Sequence, residues 1–251
     1  MTATLASIQR HPLKSHGRET LDRVTLSPGR TLPWDRRWAV AHDAAQTEEG
    51  AWANCRNFMI GSRAPALTAI NARLDEDRAE ITLSHPARPE ITFRPDDPAE
   101  AAGFIDWVRP LCPPGRAQPV RIHSAAEIAM TDTAFPSVSI LSLASNRDLG
   151  ARMGQELSPL RWRGNLWLDG LAPWTERHWI GRQIRIAGAV LQIEEPIVRC
   201  LATAANPSTG ERDADTLGAL QAAHGAKEFG VYARVIEGGT IRTGDTVALL
   251  P

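Results

Sequence analysis

The stretch Ala189-Val190-Leu191-Gln192-Ile193-Glu194-Glu195-Pro196-Ile197-Val198-Arg199-Cys200-Leu201-Ala202-Thr203 opens as a largely apolar strand and ends on a thiol. The polar, glycine-containing loop Asn206-Pro207-Ser208-Thr209-Gly210 follows within ten residues. A cysteine carried by a strand end into such a loop is placed where a thiolate meets a metal or an electrophile, with the Arg199 guanidinium beside it. A lone cysteine next to a strand is more often a small buried hydrophobe, so what surrounds Cys200 decides between the two.

Outward from this segment, short apolar runs bounded by Gly, Pro, Asp or Asn recur along the chain. Strands are expected at 5–8, 24–26, 37–41, 81–83, 91–93, 138–143, 165–168, 184–186, 189–193, 231–236 and 246–250. Residues 85–90 read as a hairpin connection, and Glu237-Gly238-Gly239 supplies turn residues that accept positive φ. Three helices interrupt the pattern, at 98–108, about 146–156 and 213–224, each with apolar residues at helical spacing or a polar residue or proline near its start. The run Arg109-Pro110-Leu111-Cys112-Pro113-Pro114-Gly115 ends a helix and reads as a linker. The expectation is a mainly β (α+β) protein of two β-barrel-like domains, 1–95 and 120–251, joined by a helix and linker at 96–119.

Composition excludes several classes. A chain of 251 residues with net charge −1 has no electrostatic footprint for nucleic acid, and no dense Lys/Arg run appears. The start lacks a basic segment leading into an apolar core, and no eighteen apolar residues follow one another, so no membrane partner is expected. Three widely spaced cysteines, Cys55, Cys112 and Cys200, form neither a disulfide framework nor a CxxC pair, which fits a reducing, cytoplasmic setting. The histidines are scattered singly, and there is no nucleophile elbow, P-loop or dinucleotide fingerprint. Tryptophans 162, 167, 174 and 179 read as packing of the second domain.

The ordered set Arg161-Trp162-Arg163-Gly164-Asn165-Leu166-Trp167-Leu168, Pro173-Trp174-Thr175-Glu176, Val198-Arg199-Cys200, Pro207-Ser208-Thr209-Gly210, Phe229-Gly230-Val231-Tyr232 and Gly244-Asp245 resembles the MOSC domain. Arg10-His11-Pro12-Leu13-Lys14-Ser15 followed by Trp34-Asp35-Arg36-Arg37-Trp38 resembles the barrel domain that precedes it in the amidoxime-reducing proteins and their bacterial relatives. The resemblance implies a molybdenum cofactor, molybdenum bound to a molybdopterin, with Cys200 as metal ligand and catalytic residue. A soft thiolate suits a metal held largely by sulfur. Lys14, Ser15, Arg36, Ser145, Arg163, Asn165, Arg199 and Tyr232 match cofactor-binding positions, and guanidinium and ammonium groups suit the pterin phosphate. His11 lies close to this set in sequence.

The implied activity is reduction of small N-hydroxylated or N-oxide-type substrates, with loops 121–135 and 206–215 shaping access. Some bacterial relatives carry a ferredoxin-like domain that this sequence lacks, so electrons would come from a separate flavin or iron–sulfur reductase. Val198 stands where the amidoxime-reducing proteins commonly have serine, removing a hydroxyl from the cofactor's surroundings. Two other functions fit the same residues: a carrier of molybdenum cofactor or of persulfide sulfur on Cys200, and a binding module in which Cys200 is merely buried.

Overall fold

In Leu166-Trp167-Leu168 the two leucines enter one hydrophobic core and the tryptophan enters another, because successive side chains of a strand point to opposite faces. That period of two organises the larger half of the molecule. The computed structural model describes residues 3–48, 50–124 and 128–251. Residues 125–127 of the expected access loop, and Met1 and Thr2, lie outside the described residues.

In chain order the strands are β1 (Ala3–Arg10), β2 (Glu19–Leu21), β3 (Arg23–Leu26), β4 (Trp38–His42), β5 (Asn71–Asp75), β6 (Glu80–His85), β7 (Arg88–Phe93), β8 (Pro119–Ser124), β9 (Val138–Ser142), β10 (Leu166–Asp169), β11 (Gln183–Ile186), β12 (Ala189–Val198), β13 (Glu228–Glu237), β14 (Gly239–Arg242) and β15 (Thr246–Leu249). The helices are α1 (Pro98–Val108), α2 (Leu143–Met153) and α3 (Thr216–His224).

Seven strands close a barrel in the order β10-β9-β13-β12-β11-β15-β1, with β1 pairing back onto β10. All its pairs are antiparallel except β9 with β10, which α2 connects as a crossover. Leu5, Ile140, Leu168, Ile186, Leu191 and Val231 fill the interior. Outside it, Trp162, Trp167 and Phe229 form a second layer with Leu149 of α2 and Leu220 of α3. The Trp162 and Phe229 rings stack at 4.0 Å. The other half packs β4 with β8, the meander β5-β6-β7 and helix α1 around Leu13, Trp38, Phe93 and Phe104. Helix α1 starts where the Asp97 side chain accepts from the amides of Ala99 and Glu100, ahead of Pro98, as a capped N-terminus should.

The fold is mainly β, with three helices among the described residues. The segments 1–95 and 120–251 are nevertheless not separate in space. The first strand, β1, sits between β10 and β15, and β8, beyond the linker, pairs with β4. Without Ala3, Leu5 and Ile8 the barrel would expose two strand edges and an open core, which is the physical reason the chain crosses over. Strand β3 likewise pairs with β14. Residues 109–111 form a 3-10 turn after α1 before Pro113 and Pro114 end it. Helix α2 begins three residues before its expected start because the Ser142 side chain accepts from the amide of Ser145 and caps it there.

Candidate functional site

Where the two cores meet, a cavity of about 250 Å³ is lined by residues from widely separated parts of the chain. The turn after β1 supplies Lys14 and Ser15, the approach to β4 supplies Arg36, and the segment before β9 supplies Asp132. The connection from α2 to β10 supplies Arg161, Trp162 and Arg163. The segment leaving β12 supplies Arg199 and Cys200, and Tyr232 comes from β13.

The delivery of Cys200 depends on irregularities in β12. Its register against β13 shifts between Ile193 and Glu195 and again between Pro196 and Val198, so Pro196 is tolerated within a ladder. Opposite lies Gly230 at φ +77, where a Cβ would come within 2.8 Å of the Ile140 carbonyl oxygen. Arg199 closes over this point. Its Nε donates to the Phe229 carbonyl at 2.8 Å, and one terminal nitrogen donates to the Trp162 carbonyl at 2.9 Å. Arg161 fastens the following turn by donating to the Thr203 and Ala205 carbonyls and to Asp213. Cys200 itself is exposed.

Three lining residues, Ser15 (φ 63), Arg36 (φ 53) and Arg163 (φ 52), hold a left-handed backbone that side chains rarely adopt. Strain gathered at one cleft marks a place whose geometry is imposed by its surroundings. One terminal nitrogen of Arg36 donates to the Arg163 carbonyl at 3.0 Å and the other pairs with Asp35, so two strained residues brace one another.

The cleft concentrates positive charge in a chain of net charge −1. Burial lowers Arg163 from 12.5 to about 9, with Arg36 and Arg18 adding repulsion, and burial lowers Arg199 to about 10. Burial also opposes charge on Arg36, but Asp35, Asp132 and Tyr232 together outweigh it and the guanidinium is raised. Lys14 donates to the Met130 carbonyl at 2.7 Å and to Asp132 at 2.5 Å. Against the cost of desolvation, that ammonium holds Asp132 below the usual carboxylate range. Burial pushes the Tyr232 phenol up to about 12, so it stays protonated. Both terminal nitrogens of Arg163 are buried and have no hydrogen-bond partner among the described residues. A buried, unsatisfied guanidinium facing a cavity is a place for an anion.

Of the residues expected from sequence, Lys14, Ser15, Arg36, Arg163, Arg199, Cys200 and Tyr232 line the cleft. Ser145 does not: it lies in the first turn of α2, its buried hydroxyl donating to Glu176 and accepting from the Trp174 amide. Asn165 lies one layer back, its Oδ1 accepting from the Ser139 amide and hydroxyl while its amide reaches the Gln9 carbonyl. Both are short polar side chains consumed by internal hydrogen bonds. His11 is likewise internal, bonded to Asp35 and pushed down to about 3 by burial, hence neutral.

The loop 206–215 supplies no lining residue; it packs on the other half, where Arg18 donates to the Pro207 carbonyl and Arg212 to that of Ser62. The sequence reading missed Cys55, Asp132, Ser139 and Arg161. It treated Trp162 as packing only, whereas this ring both packs and lines the cleft. Asp132 lies in the polar stretch expected to shape access, and Arg161 adjoins a recognised motif. Cys55, in a 3-10 turn at Cys55–Asn57, carries no signal in its neighbours.

Two family models match the chain. The MOSC N-terminal beta barrel domain covers residues 2–106 and the MOSC domain covers residues 129–248. Mitochondrial amidoxime-reducing component 1 of Mus musculus is 32% identical over 123 residues, a match spanning 44% of this chain and 36% of that protein. Among solved structures, the YUAD protein from Bacillus subtilis aligns with TM-score 0.47 at 15% identity, over 98% of this chain and 94% of that one. YiiM from Geobacillus stearothermophilus aligns with TM-score 0.37 at 22% identity, over 45% and 54%.

Proposed function

We propose, for a chain that is a MOSC-domain protein with the MOSC N-terminal barrel ahead of that domain, that the cleft holds a molybdenum–molybdopterin cofactor and reduces N-hydroxylated or N-oxide-type substrates. The observation that carries this is the pair of buried, unpartnered Arg163 nitrogens in a cleft that also presents an exposed thiol. The donor set fits such a group: guanidinium and ammonium for a phosphate, and one soft sulfur for a metal whose remaining ligands come from the cofactor. When bound, the cofactor supplies two-electron removal of oxygen from the substrate, with electrons from a separate flavin or iron–sulfur reductase.

This chain's residues do the rest. Cys200 Sγ is the protein ligand, held in position by the Arg161 and Arg199 bonds to the surrounding carbonyls. Arg163, Arg36 and Lys14 bind the anionic part, and Arg163 gains the partners it lacks. The Tyr232 hydroxyl, kept protonated, is a hydrogen-bond donor within the cleft. Leaving Cys200 exposed also suits a protein that hands on cofactor or persulfide sulfur, which is the second reading.

The test is elemental mass spectrometry for molybdenum, with fluorescent pterin derivatisation, on protein from a cofactor-competent host. Near-stoichiometric metal and pterin are expected in the wild type, with metal lost in Cys200→Ala and pterin lost in Arg163→Met. Absence of both from the wild type overturns cofactor binding. Turnover of an amidoxime with a viologen reductant separates enzyme from carrier.

A further inference from the structure

The lining of the cleft is not all cationic. Beside Cys200 stand Val198, 72% exposed, and Leu201, 42% exposed, among the most exposed large apolar residues of the chain. Val198 also lines the cavity, together with half-buried Ile60 and Ala202. Single exposed hydrophobics are ordinary on a protein surface. Here apolar side chains of two segments, Ile60 from one and Val198 and Ala202 from the other, line the same cavity as the exposed Cys200, beside cationic side chains. The backbone of Val198 is fixed by its pairing with Glu228, so its isopropyl group is held on that lining rather than free to fold away. A valine side chain is fully hydrocarbon, and it gains from contact only with another apolar group.

We propose that Val198, with Ile60 and Ala202, forms an apolar subsite in the cleft of Cys200 for the aryl or branched-alkyl substituent of the N-hydroxylated substrate. The proposal rests on the substrate reading above and adds the class of substituent. The cationic residues hold the anionic group; the apolar ones select the carbon skeleton attached to the reacting nitrogen.

The test compares benzamidoxime with acetamidoxime, which share the reacting group and differ in a ring against a methyl. Holoprotein from a cofactor-competent host, reduced by viologen, is expected to favour the aryl substrate in kcat/KM. Val198→Ala should cut that preference about five- to tenfold by raising KM for the aryl substrate more than for acetamidoxime. The second readout needs no turnover: in protein carrying 13C-methyl valine, the Val198 methyl signals, assigned with Val198→Ala, should shift with benzamidoxime and stay with acetamidoxime. Signals that stay put with benzamidoxime overturn the subsite, as does an unchanged preference in an active enzyme. If neither substrate is reduced yet the signals move, the subsite stands and the reductase function falls.

Discussion

Replacing Arg163 with methionine should stabilise the anion-free protein. The guanidinium is lowered from 12.5 to about 9 in the folded state, by burial first and by Arg36 and Arg18 second. At about 1.36 kcal/mol per pKa unit, that fall corresponds to roughly 5 kcal/mol by which the charged form disfavours folding. Water entering the cleft screens part of this, leaving about 2–3 kcal/mol. Methionine keeps the length of the aliphatic stem and the left-handed backbone, so packing and strain largely cancel between the two proteins. In a chain of this size, each kcal/mol moves Tm by about 2–4 °C, giving a rise of about 4–12 °C.

The sign follows from a base whose folded pKa is depressed: the cost is present in full below about pH 9 and fades only as pH climbs toward 12.5. The difference between the two proteins is therefore flat from pH 6 to pH 8. The assay is calorimetry on protein from a host unable to make the cofactor, in low-salt buffer without phosphate or sulfate. Adding 10 mM inorganic phosphate, on the order of a useful screening concentration for a weak anion site, should raise Tm of the wild type and narrow the gap, leaving Arg163→Met almost unmoved. A lower Tm for Arg163→Met without anions, or an equal phosphate gain in both proteins, refutes the reasoning.

Two further outcomes follow from buried groups elsewhere. Glu176 is fully buried, its Oε2 accepting from Ser145 and its Oε1 without a partner among the described residues, and burial raises its pKa. An acid raised in the folded state loses stability as pH rises through its unfolded value, so Glu176→Gln should exceed the wild type in urea unfolding at pH 8, with the gap shrinking toward pH 4. Maleimide labelling of cofactor-free protein, followed by intact mass, should modify Cys200 first and half-buried Cys55 more slowly. Cys112 should react only on unfolding, because it is buried, pushed up to about 11, and donates to the Val108 carbonyl.

Much of the fold was legible because its strands are short apolar runs between turn-forming residues. Every expected strand corresponds to an observed one, since such runs have few other ways to leave water. The four strands without a counterpart in the sequence reading, β2, β5, β8 and β14, owe their form to a neighbour. Asn71–Asp75 has a single buried residue, Leu74, and becomes a strand by pairing with β6. The placement of β1 in the far barrel was also hidden, because its alternating pattern says that one face is covered and nothing about which strands cover it.

The candidate site was legible to the extent that its residues sit in short, chemically distinctive runs. Asn165 shared such a run and Ser145 follows the strand expected at 138–143, so both were drawn in, although a short polar side chain is as readily used by the fold's own amides and carboxylates. Arg36 and Arg163 are 127 residues apart in sequence, and only the closed fold brings one guanidinium onto the other's carbonyl. A net charge of −1 averages away the cations that meet there. Left-handed backbone at Ser15, Arg36 and Arg163 costs free energy, and so does a guanidinium buried without partners. These costs arise independently, one from φ and the other from solvation, yet both fall on the walls of one cleft. A ligand that fills the cleft offsets the second directly and, by fixing the residues that bear it, makes use of the first. That coincidence, rather than any single residue, is what distinguishes this cavity from the other hollows of the surface.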